Sequence, residues 1–274
     1  MTAHPYIERT LAGFADALEH AGTAERLADQ KGLLQRLDPR VKVIGALLLI
    51  LATMCSRRLS VTASMLIVAV ALAWLTRIPL RIVATRVWLS VLFFTGCIAL
   101  PAAFTTPGLA IWHLPLVGWQ ITHQGLFSAV QLILRAETSA TFVLLVVLST
   151  PWTQLLKALR ALRIPVTAVV ILGMTHRYIF LLLRIAGEQF EARRSRLVGM
   201  LSSEQRRKIA TSSAGVLLDK SVQLSGEVFS AMQARGFRGE IYTLDEFQMN
   251  PRDWFALTVF GVVTIVALFL GMRP

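Results

Sequence analysis

Uncharged apolar runs recur along this chain at lengths that suit membrane crossing, and the charged residues fall between them. Residues 43–56 follow Lys42 and stop at Arg57-Arg58, and residues 59–76 stop at Arg77. Both are near the short end of the roughly 17–25 residues that a spanning helix needs. Between Arg86 and Arg135 lie 48 residues without Asp, Glu, Lys or Arg. Pro101, Pro107, Gly108 and Pro115 interrupt that stretch, so one helix cannot take it all up. The pattern predicts a span at about 87–104, an uncharged loop to His123 and a span at about 125–149. Trp112 and Trp119 in the loop suit a membrane interface. Residues 254–272 make the last span.

Residues 165–185 are apolar enough to be counted as well, yet His176 and Arg177 stand at their middle and Arg184 follows. An arginine at mid-bilayer costs roughly 2.5–3.5 kcal/mol on insertion scales. Lys157, Arg160 and Arg163 precede this segment. Arg193, Arg194, Arg196, Arg206, Arg207, Lys208, Lys220, Arg235 and Arg238 follow it. A crossing would put the two basic groups on opposite faces, against the tendency of Lys and Arg to stay cytoplasmic. Lying along the cytoplasmic interface, the segment keeps both inside. Arg77, Arg81 and Arg86 then also fall inside and the uncharged 105–124 loop outside, with only Arg57 and Arg58 misplaced. The expected fold is an all-α integral membrane protein with about five transmembrane helices, amino terminus inside and carboxyl terminus outside. Six spans is the alternative count. Residues 1–40 form a cytoplasmic N-terminal segment, 41–150 the first four spans, 151–253 a cytoplasmic or interfacial helical module, and 254–274 the last span.

Within that module, 153–162 reads as an amphipathic helix, with Leu155, Leu156, Leu159 and Leu162 opposed to Lys157, Arg160 and Arg163. After Pro165 and the interfacial segment, 188–200 continues as a charged helix containing Ala192-Arg193-Arg194-Ser195-Arg196. Ser202 and Gln205 have the spacing of a capping box. The helix they open should run to about Ala234, with Gly236 just past its end. Arg235 would stand at that carboxyl end, where the helix dipole favours a cation. Asp38 is placed to cap the first span, with Pro39 at its first position and Arg40 beside it.

Composition agrees. The chain is 55% hydrophobic and 16% charged, with a mean hydropathy of +0.60. Soluble domains carry roughly 25% charge. The net charge of +12 reads as cytoplasmic loops rather than a nucleic-acid surface, because spans interrupt the basic residues. Cys55 and Cys97 lie inside apolar runs, so neither a disulfide framework nor a metal pattern is expected. Residues 1–38 are mostly polar and charged, so no signal peptide is expected there. His4, His20, His113, His123 and His176 are the only imidazoles. His113 and His123 share the outer loop without a carboxylate, cysteine or third histidine, so no metal site is expected. Arg135 and Glu137 sit inside the fourth span, where ionisable groups are functional candidates by default. They could satisfy each other, pack against neighbouring helices, grip another subunit or serve a proton path. No HExxH, GxSxG or paired-Asp motif points to an enzyme, and no catalytic residue is expected. The chain has no Walker A sequence, so any ATP is used elsewhere. A channel would leave the long module unexplained, and a secondary transporter should show internal repeats.

The chain resembles the T component of energy-coupling factor (ECF) transporters, in its cobalt-type form CbiQ. The resemblance covers roughly 33–272. It rests on Leu37-Asp38-Pro39-Arg40-Val41-Lys42 opening the first span and Ser149-Thr150-Pro151-Trp152 closing the fourth. Arg177-Tyr178, Ala192-Arg193-Arg194 and Ala234-Arg235-Gly236 complete it. One departure stands out: the first signature is usually close to Ala-Arg-Gly, and here Arg194 takes the third place, with Ser195-Arg196 after it. That leaves Arg193, Arg194 and Arg196 as candidates for the key contact, with Arg193 favoured by position. The resemblance implies two ABC-type ATPase subunits, which use ATP and Mg and each accept one signature helix in a groove. Their closure would move the helices and drive a separate CbiM-like substrate-binding membrane subunit, with a small accessory membrane subunit as an optional further partner. It implies that this chain itself holds no cofactor and no metal, and that it sits in the bacterial inner membrane. Cobalt uptake, linked to cobalamin biosynthesis, is the expected transport. Nickel or a vitamin is the alternative.

Overall fold

The computed structural model describes residues 5–28, 32–105, 110–113, 120–196, 202–237 and 249–272. Among them the chain forms ten α-helices. These are α1 (Pro5–Ala28), α2 (Pro39–Cys55), α3 (Leu59–Leu75), α4 (Leu80–Val83), α5 (Leu89–Thr105), α6 (His123–Ser149), α7 (Trp152–Ala161), α8 (Val166–Arg194), α9 (Ser203–Ala234) and α10 (Pro251–Met272). A π-helical turn, Ala84–Trp88, joins α4 to α5. The chain divides into two compact units: Glu25–Ala158 with Phe247–Pro274, and Met1–Ala24 with Leu159–Glu246.

The first unit is a helical bundle whose ends are set by local chemistry. Asp38 opens α2, its carboxylate accepting the Arg40 N–H at 2.8 Å with Pro39 at the first helical position. The chain extends at Ser56 and restarts as α3 after Arg58. α3 stops at a Schellman cap in which Ile78 N–H reaches the Ala73 carbonyl and Arg77 N–H that of Trp74. Arg77 takes the left-handed position there, φ 58°. The same Arg-Ile-Pro sequence recurs at 163–165, where Arg163 has φ 65° and ends the turn after α7. In both places a cation sits at a helix carboxyl end and the following proline prevents continuation.

Interhelical hydrogen bonds define the two ends of this bundle. At one end the Asp253 carboxylate accepts the N–H of Asp38 (2.9 Å) and of Asn250 (2.9 Å), tying the start of α2 to the start of α10. Lys42 Nζ donates to the Ser149 carbonyl (2.9 Å) and the Thr150 hydroxyl (3.2 Å), which brings the end of α6 to the same place. Gln35 donates to the Thr76 carbonyl at 3.3 Å and adds the end of α3. At the opposite end Arg57 N–H meets the Gly271 carbonyl at 3.0 Å. So α2 and α10 run one way and α3 and α6 the other. α5 is antiparallel to α6: Trp88 Nε1 donates to Thr141 Oγ1 at 3.3 Å, and Ala99 packs on Ala129. The chain therefore leaves this bundle after α6 and returns to it at α10 on the same end.

Three buried hydroxyls of the bundle are satisfied within their own helices. Thr53, Thr138 and Thr141 donate to the carbonyls of Leu49, Leu134 and Glu137 at 2.6–2.8 Å. That lets small polar residues pack helix against helix without an orphaned donor. α2 and α10 approach so closely that a Cβ on Gly45 would run into the Phe260 ring.

One feature differs from the sequence reading. The uncharged loop contains a short antiparallel hairpin, Ala110–His113 with Gln120–Thr122. Its isoleucines, Trp112 and Thr122 favour extended pairing. α5 runs through Pro101 to Thr105, close to the expected end of that span. Trp119 and Arg238 lie outside the described residues.

In the second unit the expected interfacial segment and the charged helix are one 29-residue element, α8. Among the described residues α6, α8 and α10 are each long and apolar enough to cross a membrane. α9 starts in a full capping box: the Ser202 hydroxyl accepts the Gln205 N–H at 3.2 Å and Gln205 accepts the Ser202 N–H at 2.9 Å.

Candidate functional site

The second unit presents two helix ends that terminate in arginine. The first is the carboxyl end of α8. Ala192, Arg194 and Arg196 are exposed there and Arg193 is half-buried. Ser195 closes the helix, its N–H on the Glu191 carbonyl and its hydroxyl on that of Ala192. Arg193 donates to the Ser212 hydroxyl at 3.1 Å, which pins the end of α8 to the body of α9. Arg194 turns the other way, to Glu8 of α1 at 3.4 Å.

The second is the carboxyl end of α9. Gly236 N–H bonds the Gln233 carbonyl at 2.9 Å and Phe237 N–H that of Met232 at 3.0 Å, the paired bonds of a Schellman cap. Gly236 sits at φ 79°, a conformation that costs L-residues roughly 1–2 kcal/mol. Ala234 and Arg235 are exposed at this end.

The two ends are far apart. α8 and α9 run antiparallel, with Arg193 beside Ser212. The 23 residues from Ser212 to Arg235 place the second arginine roughly 34 Å further along at 1.5 Å per residue. Between the helices lies an apolar groove of about 490 Å³, lined by Val170, Met174 and Tyr178 of α8 and by Leu224, Val228 and Met232 of α9. Arg177, next to Tyr178, is exposed. Phe237 of the cap closes on the same groove beside Met232. The groove and the second arginine thus share one structural element.

Other candidates lie in the bundle. Asp38, Pro39 and Arg40 form the start of α2, as described. Arg135 reaches the Ser56 carbonyl, and Gln131, one turn earlier, donates to the same oxygen at 3.1 Å and to Thr62 Oγ1 at 3.3 Å. Glu137 is buried two residues on. Successive residues turn about 100° around a helix, so the two side chains leave α6 on nearly opposite faces. Arg135 is spent on closing the α2–α3 turn. Asp253, which the sequence reading passed over, binds two segments at once; its place three residues after Asn250 is the spacing of a reverse cap. His176 packs edge-on against the Phe180 ring one turn away, 5.0 Å between centroids. Among the described residues no group of three or more His, Cys, Asp or Glu could hold a metal ion.

Residues 30–244 match the family described as cobalt transport protein CbiQ. The chain belongs to this family. It is 30% identical over 254 residues to an uncharacterized protein of Methanocaldococcus jannaschii, covering 91% of this chain and 86% of that one. The energy-coupling factor transporter transmembrane protein EcfT of Lacticaseibacillus paracasei is 27% identical over 263 residues, 88% of this chain and 94% of that one. The cobalt transport protein CbiQ of Rhodobacter capsulatus is 29% identical over 173 residues, 61% of this chain and 65% of that one. The segment that matches the CbiQ family contains both arginine ends, whereas α1 lies ahead of it.

Proposed function

We propose that this CbiQ-family protein is the energy-coupling subunit of an ECF-type ABC importer in the bacterial inner membrane, serving cobalt(II) uptake. The observation that carries the reading is the pair of arginine-terminated helix ends, set roughly 34 Å apart on one helical hairpin. Two handles at that distance suit two separate motor subunits. Arginine keeps its charge at any working pH and offers a planar fork of donors to carboxylates and carbonyls. The names of the EcfT and CbiQ relatives support the same assignment. In this reading two ABC-type ATPases bind and hydrolyse ATP, and their closure shifts the Arg193 end of α8 against the Arg235 end of α9. The apolar groove between those helices offers surface to the substrate-binding membrane subunit, which holds the metal.

Topology supports this. The bundle end carrying Arg36, Arg40, Lys42, Arg77 and Arg81 is the cytoplasmic one by the distribution of charge. α6 ends and α10 begins at that end, so the chain between them crosses the membrane an even number of times. α9 carries Glu204, Arg206, Arg207, Lys208, Asp219, Lys220 and Glu227 and is no span. α8, despite its length, therefore stays on the cytoplasmic side, and the protein crosses five times.

The test replaces Arg193 and Arg235 together with glutamate. Breaking a desolvated charge pair typically costs about 2–5 kcal/mol on each side. Coupled metal uptake should vanish and the ATPase subunits should no longer co-purify, while membrane insertion persists. Uptake at the unmodified rate would end the assignment.

A further inference from the structure

α1 precedes the segment that matches the CbiQ family, yet it packs on the first coupling element. Along α8 the buried residues are Ala186 and Phe190. Four-residue spacing puts them on one helix face with Arg194. α1 touches that face at two residues. The Phe14 ring lies 5.7 Å from the Phe190 ring, tilted by 48°, and Glu8 meets Arg194 at 3.4 Å. Leu11, between Glu8 and Phe14 on the same side of α1, is half-buried. The earlier α1 residue meets the later α8 residue, so the helices run antiparallel and α1 lies along the end of α8.

We infer that α1 is a latch that competes with an ATPase subunit for the Arg194 end of α8. The inference rests on the coupling function proposed above. A groove that grips arginine must offer carboxylates or carbonyls, and Glu8 already offers a carboxylate to Arg194. The pair is exposed, with Glu8 at 39% and Arg194 at 54% of full side-chain accessibility. Water and salt weaken such pairs, whose typical strength is a factor of about two to five in a binding constant. The Phe14–Phe190 contact adds a second, salt-independent hold. Arg193 is tied to Ser212 on α9 and does not depend on α1. The latch thus raises the threshold for docking without closing the site, and it acts on one handle only.

The test uses the full chain in lipid nanodiscs with its cognate ATPase subunits, comparing the unmodified protein with Glu8→Gln, Phe14→Ala and the double variant. ATPase binding should tighten about two- to fivefold in Glu8→Gln and further in the double variant. The Glu8→Gln gain should shrink at high salt. Amide exchange across 8–14 should speed up when the ATPase subunits bind the unmodified chain. A merely structural role for α1 predicts the opposite sign, since loosening α8 would weaken binding. Unchanged or weaker binding in the variants overturns the latch while leaving the coupling function standing. If the unmodified chain captures no ATPase subunit, the coupling function fails and the latch fails with it.

Discussion

Gly236 is where backbone conformation and coupling can be separated. A Cβ there would meet no heavy atom within 4 Å, so a substitution carries no steric clash and only the φ of 79° is strained. Alanine in the left-handed region costs roughly 1–2 kcal/mol. Against this stand the two bonds of the cap, from Gly236 N–H and Phe237 N–H, each worth a net of about 0.5–1.5 kcal/mol. Strain and cap are comparable, so Gly236→Ala should open the cap in a measurable fraction of molecules. Gly236→Val, β-branched and poorly suited to this conformation, should open it in most. Asparagine tolerates it and should stay close to the unmodified protein. Opening swings Phe237 away from Met232 and lets Arg235 wander, so metal uptake and exchange protection of the Phe237 amide should fall together. The expected order is Asn, then Ala, then Val, from least to most affected. Side-chain size predicts Ala as the mildest change. If Ala proves milder than Asn, or if Val leaves uptake and protection intact, the left-handed cap is not what holds Arg235.

Asp253 is 3% exposed and accepts backbone N–H groups from two segments. Asp253→Ala should destabilise the bundle by about 2–4 kcal/mol, since hydrogen bonds to charged groups are worth about 1.5–3 kcal/mol each and the exposed Asn250 amide can turn to water. Asp253→Asn, keeping one acceptor, should lose about half as much. Thermal unfolding in detergent reads both, and equal midpoints for Asn and Ala would refute the two-acceptor geometry. For topology, a thiol at position 160 in a background lacking Cys55 and Cys97 should react from the cytoplasm and resist impermeant reagents added outside. Labelling from outside would overturn the five-crossing arrangement.

Much of the fold was legible because helix ends are local. The Asp38-Pro39 start, the Ser202–Gln205 box and the Gly236 stop each lie within a few contiguous residues, and α2 and α9 begin or end where those signals stand. The Arg-Ile-Pro stops at 77–79 and 163–165 were written in the chain too, but an arginine at positive φ is uncommon enough to pass unnoticed. The hairpin in the uncharged loop escaped for a different reason: its strands are too short for alternation to show. At the arginine ends, sequence position favoured Arg193 as the handle. The structure ties Arg193 to Ser212 and Arg194 to Glu8, a division no spacing within 192–196 announces.

Hydropathy, charge and capping chemistry by themselves determined that this is a helical membrane protein, where its helices lie and which ends carry arginine. These are properties of neighbouring residues, readable without knowing what each helix touches. Tertiary structure decided which ends meet. Asp38 and Asp253 are 215 positions apart, Lys42 and Ser149 are 107 apart, and Glu8 and Arg194 are 186 apart. Such pairings depend on how whole helices pack, and each involves one or two polar groups among many that look alike in sequence. They bring the end of α6 to the start of α10, and they place α1 against an arginine that the chain presents 186 residues later.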